Sequence, residues 1–145
     1  MTLHEAIGQL FLLGFEGSRL SEPLKAFVRE CNPGGLMLFS RNVGSPEEVA
    51  ELTAALQAAA PTPLLIAIDQ EGGRVARLGP PFTQWPSPSV VGAVGSIKLT
   101  YALGEAIARE LLAVGINMNM APVLDVQTNP ANPVIGDRSF GADPQ

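Results

Sequence analysis

The chain has 145 residues, 46% of them hydrophobic, which is the length of one ordinary domain with enough apolar material to bury a core. Its net charge is −5 and its nine Lys and Arg are scattered along the chain, which argues against a surface built to neutralise nucleic-acid phosphates. A single cysteine, Cys31, excludes an internal disulfide and suits a reducing compartment.

Thr2 with Glu5 three residues on is a capping-box signature and predicts a short helix ahead of a first strand at residues 11–15. His4 falls on that helix and reads as an exposed residue. The apolar run beginning at Leu10 follows an acidic residue, lacks a small-residue cleavage site and is too short to span a bilayer. Neither a signal peptide nor a membrane partner is expected, and the expected location is the cytoplasm. Ser21, Glu22 and Pro23 then open a helix of about ten residues whose apolar set is Leu24, Phe27, Val28 and Cys31. Asn32-Pro33-Gly34-Gly35 stops it, and residues 36–39 form a compact second strand.

Ser45-Pro46-Glu47-Glu48 supplies an N-cap, a proline at the first helical position and a capping-box glutamate, so a helix runs to about Ala59. Pro61 and Pro63 punctuate the return to the continuous apolar run 64–68, as expected of a strand buried on both faces. A long irregular stretch follows. Leu99, Leu103, Ala106, Ile107, Leu111 and Val114 then mark an amphipathic helix with Gly115 as its C′ residue, and residues 116–121 form a fourth strand.

Strand and helix alternate, each connection is long enough for a right-handed parallel crossover, and no segment reads as a linker or second domain. Residues 1–145 therefore read as a single α/β unit with about four parallel strands. An open doubly wound sheet and part of an eight-stranded barrel both fit, and periodicity does not choose between them. One detail favours a barrel: Asn117 and Asn119 put polar groups on one face of the fourth strand, which a barrel lumen or its mouth would accommodate, with a satisfied buried amide as the competing reading.

Ligands of either architecture bind beyond the carboxyl ends of the strands. There the third strand runs into Asp69-Gln70-Glu71-Gly72-Gly73-Arg74-Val75-Ala76-Arg77, and the fourth leads to Asp125 and Asp137-Arg138-Ser139-Phe140-Gly141. A carboxylate in this position accepts hydrogen bonds from paired sugar hydroxyls, and arginines clamp hydroxyls or an amide carbonyl. Asp69, Arg77 and Arg138 have the chemistry for that work, and mutual salt bridging is the competing reading. Asp69 and Glu71 are poorly suited as a catalytic carboxylate pair, because residues two apart point the same way whereas such a pair must straddle a sugar. Histidines and carboxylates do not cluster with metal-ligand spacing, and no dinucleotide or phosphate-binding glycine motif occurs. In the 70–97 loop, Trp85 reads as an anchor for the prolines around it ahead of a stacking platform for a sugar.

The segment Ile66-Ala67-Ile68-Asp69-Gln70-Glu71-Gly72-Gly73-Arg74-Val75 closely resembles family three glycoside hydrolases, especially the bacterial β-N-acetylglucosaminidase type. Further matches, in family order, are residues 34–42, 121–126 and 137–141 with Asp143-Pro144. The resemblance implies a TIM-type (β/α)₈ barrel of which this chain supplies roughly the first half. It implies retaining hydrolysis of terminal, non-reducing β-linked N-acetylglucosamine, as in peptidoglycan recycling. By matched position Asp69, Arg77 and Arg138 are substrate-binding residues, and neither a metal nor an organic cofactor is implied.

The family's acid/base histidine and aspartate nucleophile are expected downstream of Gln145, so no catalytic residue is assigned within the chain. Alone it is expected not to turn over substrate and to self-associate through unpaired sheet edges. A β-glucosidase-type enzyme of the same family and a noncatalytic sugar binder are the competing functional readings.

Overall fold

A computed structural model describes residues 2–144. Helix α1 (Leu3–Gly8) precedes strand β1 (Leu12–Gly14), and α2 (Glu22–Cys31), β2 (Gly35–Leu38), α3 (Pro46–Ala59) and β3 (Leu65–Ile68) follow in strict alternation. Two helices, α4 (Pro88–Val94) and α5 (Ile97–Ala113), lie between β3 and β4 (Met118–Asn119). The capping signals act as the sequence predicts. The Thr2 and Ser45 side chains accept from the backbone N–H of Glu5 and Glu48, whose carboxylates accept in return, while Ser21 caps α2. Gly115 takes a φ of 76° just past the end of α5, the left-handed geometry predicted for its C′ residue.

The four strands form one parallel sheet in the order β1-β2-β3-β4. That order decides between the two architectures. A doubly wound sheet starts at an interior strand and reverses direction, whereas a barrel adds each new strand beside the last. Parallel crossovers of one hand then carry every connecting helix to the same face.

The residues bear this out. Leu36, Leu38, Ile66 and Ile68, paired in register, are fully buried and join Val28, Val49, Leu52, Leu56, Ile107 and Leu111 from the helices in one core. The opposite face carries Leu12, Met37, Leu65, Ala67 and Met118, of which Leu12 and Leu65 are 38% and 51% exposed. A closed barrel would bury that face in its interior.

Both ends of the sheet also remain open. Beside β1, an apolar groove of about 290 Å³ is lined by Ile7, Phe11, Leu13, Phe27 and Cys31, with His4 at its side. His4 is exposed, and one of its ring nitrogens lies 3.0 Å from the Glu30 carbonyl oxygen. Between α5 and β4, a second groove of about 410 Å³ is lined by Leu103, Ile107, Leu111, Ile116, Met118 and Phe140. Phe27, which lines the first groove, and Leu99, both expected on buried helix faces, are 40% and 46% exposed.

Two further features differ from expectation. The stretch 70–97 is not irregular throughout, because it contains α4, opened by Ser87 with Pro88 at its first turn and closed by Gly95 at a φ of 64°. Its body, Pro88-Ser89-Val90-Val91-Gly92-Ala93-Val94, is short and β-branched, so no helical period stands out. The fourth strand spans two residues where six were expected, because the Asn117 and Asn119 side chains take over part of its pairing. The Asn117 amide accepts from the Ile66 N–H at 2.7 Å and donates to the Leu64 carbonyl at 3.0 Å, and Asn119 binds the N–H and carbonyl of Gln70, both at 3.0 Å. Both are satisfied amides at an open edge, Asn117 exposed and Asn119 half-buried. Asn119 stands in register with Ile68, whose side chain belongs to the helix-facing core.

Candidate functional site

The carboxyl ends of the strands are tied together by amides before any charged group is placed. Asn42, 1% exposed, accepts from the Phe39 N–H at 2.9 Å and donates to the carbonyls of Phe15 at 3.1 Å and Gly17 at 2.8 Å, joining the ends of β2 and β1. Gln70, also 1% exposed, accepts from the backbone N–H of Arg77 at 2.9 Å and of Leu78 at 3.1 Å. That pair of bonds turns the chain back after β3, bringing Arg77 beside Asp69.

The turn itself depends on glycine. Gly72 has a φ of 97°, in the region where a side chain strains the backbone, and any Cβ there would run into the carbonyl oxygen of Pro86. The Glu71 N–H donates to the Val75 carbonyl at 2.9 Å, closing a tight loop, and the Gly73 N–H donates to the Trp85 carbonyl at 2.9 Å.

On this base sit three arginine–carboxylate pairs. Arg77 Nη2 donates to Asp69 Oδ2 at 2.8 Å, with the two side chains 26% and 24% exposed. Arg138, arriving from the segment after β4, donates to Glu71 through Nε at 2.9 Å and Nη2 at 2.7 Å in a two-pronged contact. The Glu71 side chain is 3% exposed and Arg138 is 25% exposed, so the carboxylate is buried beneath a guanidinium that keeps one side open. Arg74 Nε donates to Asp137 Oδ1 at 2.7 Å further out.

The Arg138 guanidinium is held above its ordinary pKa by the hydrogen bonds it donates to Glu71, with the charges of Glu71, Asp125 and Asp69 adding to the effect and desolvation opposing it. Glu71, the residue that holds Arg138, stands two positions after Asp69 on the same loop. A guanidinium raised further stays charged at every working pH, so it offers a permanent cationic clamp.

Asp69 and Arg77 pair directly and Arg138 is held by Glu71 on the same loop, all three side chains being partly exposed. Salt bridging and ligand binding are not alternatives in this geometry. The Asp69–Arg77 pair leaves carboxylate and guanidinium edges to solvent, while the second carboxylate after β3, Glu71, is consumed in holding Arg138. Glu71 is thus unavailable as a catalytic acid. Four residues that the sequence reading did not assign emerge as supports: Asn42, Gln70, Glu71 and Arg74. Asn42 and Gln70 are polar side chains just past buried apolar strands, and that was the one local signal for them.

One carboxylate makes three of the bonds that hold the proline-rich loop. Glu110, on α5, accepts from the Thr83 N–H and hydroxyl, both at 2.9 Å, and from the Trp85 indole N–H at 3.2 Å. Trp85 is half-buried against the core, so it anchors the loop. Glu110→Ala is expected to cost about 1–2 kcal/mol and to speed proteolytic cutting between residues 79 and 87. Limited proteolysis with mass spectrometry reads this directly, and an unchanged cutting rate would contradict the anchoring role.

Residues 2–145 match the family model described as glycosyl hydrolase family 3 N terminal domain. The chain belongs to glycoside hydrolase family 3. Its curated relatives include a β-hexosaminidase of Alkalilimnicola ehrlichii, 43% identical over 92% of this chain and 40% of that protein. A β-hexosaminidase of Xanthomonas oryzae is 38% identical over 94% of this chain and 42% of that protein. Among solved structures, a family 3 β-N-acetylglucosaminidase from Paenibacillus superposes with a TM-score of 0.96 at 44% identity, over 99% of this chain and 28% of that one. NagZ from Neisseria gonorrhoeae gives 0.84 at 36% identity, over 92% of this chain and 40% of that one, and has also been solved with N-trifluoroacetyl-D-glucosamine bound. The family 3 chain thus spans about two fifths of the length of the curated relatives it matches. Its sheet is the first part of a TIM-type barrel, in agreement with the sequential strand order.

Proposed function

We propose that this family 3 chain forms the sugar-holding side of a β-N-acetylglucosaminidase site, with Asp69, Arg77 and Arg138 as its substrate-binding residues. In this reading Asp69 accepts hydrogen bonds from hydroxyls of the terminal sugar at the non-reducing end. Arg77 fixes the Asp69 carboxylate, and Arg138 clamps an oxygen of the same ring or of its acetamido group. The observation that carries the proposal is the loop beyond the carboxyl end of β3, where Asp69 pairs with Arg77 and Glu71 holds Arg138, the three groups each about one-quarter exposed. Barrel enzymes assemble their sites at that end.

The activity proposed for the whole polypeptide is retaining hydrolysis of terminal β-linked N-acetylglucosamine, as from muropeptides in peptidoglycan recycling in the cytoplasm. Retention requires a nucleophile and an acid/base flanking the bond. As the family resemblance implies, both are proposed to come from barrel units beyond the four strands, and Glu71 serves instead to hold Arg138. Support for N-acetylglucosamine as the sugar comes from the β-N-acetylglucosaminidase and NagZ neighbours. The test is a panel of chromogenic β-glycosides on the product of the complete reading frame. A kcat/KM for the N-acetylglucosaminide well above that for the glucoside is expected, and the reverse order would move the chain to the β-glucosidase type.

The polypeptide of 145 residues on its own is proposed to self-associate. Its sheet has unpaired edges at β1 and β4, each beside an apolar groove, and a half-open inner face. Sedimentation of that polypeptide is expected to give a mass that rises with concentration. A monomer with a cooperative melt would contradict this.

A further inference from the structure

We infer that Arg74 and Asp137 are positioning residues that set Arg138 in the sugar subsite; the inference rests on the sugar-binding reading above. The segment 129–140 has no regular structure beyond one 3-10 turn at Gly136–Arg138, so its path is fixed by what its backbone binds. Arg74 Nη2 lies 3.0, 2.7 and 3.1 Å from the carbonyl oxygens of Pro133, Val134 and Ile135, three in succession, while its Nε holds Asp137. One planar guanidinium thus gathers the turn immediately before Arg138.

Val134 links the two arginines. Its carbonyl accepts from Arg74 at 2.7 Å and from Arg138 Nη1 at 3.3 Å. The two loops are also crossed. Arg74 of the β3 loop binds Asp137, and Arg138 of the later segment binds Glu71 of the β3 loop, so each contributes one cation and one carboxylate. Arg74 has a firm base, because the Gly72–Gly73 turn is closed by Val75 and by the Trp85 carbonyl.

The Arg74–Asp137 pair is nearly half exposed, at 47% and 45%, so solvent screens its attraction and its role is geometric. Lysine preserves the charge but not the fork that reaches a carboxylate and three carbonyls together. Geometry also predicts where the effect stops: Arg74 acts on the sugar only through Arg138.

The experiment uses the product of the complete reading frame, with N-acetylglucosamine as the calorimetric probe, and compares Arg74→Ala, Arg74→Lys, Asp137→Asn, Arg138→Ala and Arg74→Ala with Arg138→Ala. Arg74→Ala is expected to weaken binding roughly tenfold, Arg74→Lys nearly as much, and the double variant no more than twofold beyond Arg138→Ala. Losses that multiply in the double variant would overturn the inference, as would an Arg74→Ala protein that binds like the wild type while Arg138→Ala does not.

The Arg138 Nε–H resonance gives a second readout that needs no sugar. It should lose its hydrogen-bonded shift in Arg74→Ala and Asp137→Asn, and an unmoved resonance in both would also overturn the inference. Should Arg74→Ala fail to fold, Arg74→Lys and Asp137→Asn carry the same comparison. If the resonance moves but Arg138→Ala leaves sugar affinity intact, the sugar-binding reading falls, and with it the subsite role, while the latch between loops stands.

Discussion

Asp69→Ala is expected to weaken binding of N-acetylglucosamine by roughly 100-fold or more, the loss of two charge-assisted hydrogen bonds to neutral hydroxyls. The expectation has a second part. Asp69 is the partner of Arg77 Nη2, and Arg77 Nε is buried without a partner among the described residues, so removing the carboxylate leaves a guanidinium still less well satisfied. Arg77 would then reorient towards solvent, and the subsite would lose its second group as well as its first. Asp69→Asn keeps the shape and one acceptor, and should lose only about tenfold. Calorimetric titration of both variants separates the charge from the shape, and equal losses would show that the carboxylate does not act as proposed.

Glu71→Ala should be the most destabilising single change in the site, at about 3–5 kcal/mol, because it leaves Arg138 without its two-pronged partner in a place where the carboxylate is 3% exposed. The quarter exposure of Arg138 puts the expectation towards the lower end, since solvent relieves part of the unpaired charge. Glu71→Gln retains one acceptor and should cost less. Urea unfolding reads the difference as a lower midpoint at unchanged slope. A Glu71→Ala protein as stable as the wild type would mean that the buried pair contributes specificity without stability.

These expectations draw on features that the sequence shows unequally. The helix starts were legible because the caps are local: Thr2 with Glu5, Ser21, and Ser45 with Glu48 each satisfy backbone groups within three residues. The run 64–68 was legible as a strand because it has no polar interruption, but its expected burial on both faces fails at Leu65, which is 51% exposed on the open face of the sheet. Helix α4 escaped because its valines and glycine carry no helical period, although Pro88 and Gly95 bracket it. The brevity of β4 escaped because Asn117 and Asn119 replace backbone partners with side-chain ones, which no periodicity records.

The site divides the same way. Position beyond the strand ends and the motif resemblance each pointed to Asp69, Arg77 and Arg138. The Glu71–Arg138 pair joins residues 67 apart and the Arg74–Asp137 pair residues 63 apart, so both follow from the strand order that places β4 beside β3. The Glu110 anchor likewise reaches 27 residues back to Thr83 across the α4–α5 connection. Choosing the barrel over the doubly wound sheet also needed the strand order, because both architectures share the same alternation of elements.

Whether Asp69, Arg77 and Arg138 form one sugar subsite is read from a crystal structure of the complete reading frame's product with N-acetylglucosamine. A sugar is expected at the carboxyl end of β3, with hydroxyls within hydrogen-bonding distance of Asp69 and both guanidinium groups against the same ring. A sugar bound elsewhere, with the Asp69–Arg77 pair facing only solvent, would contradict it.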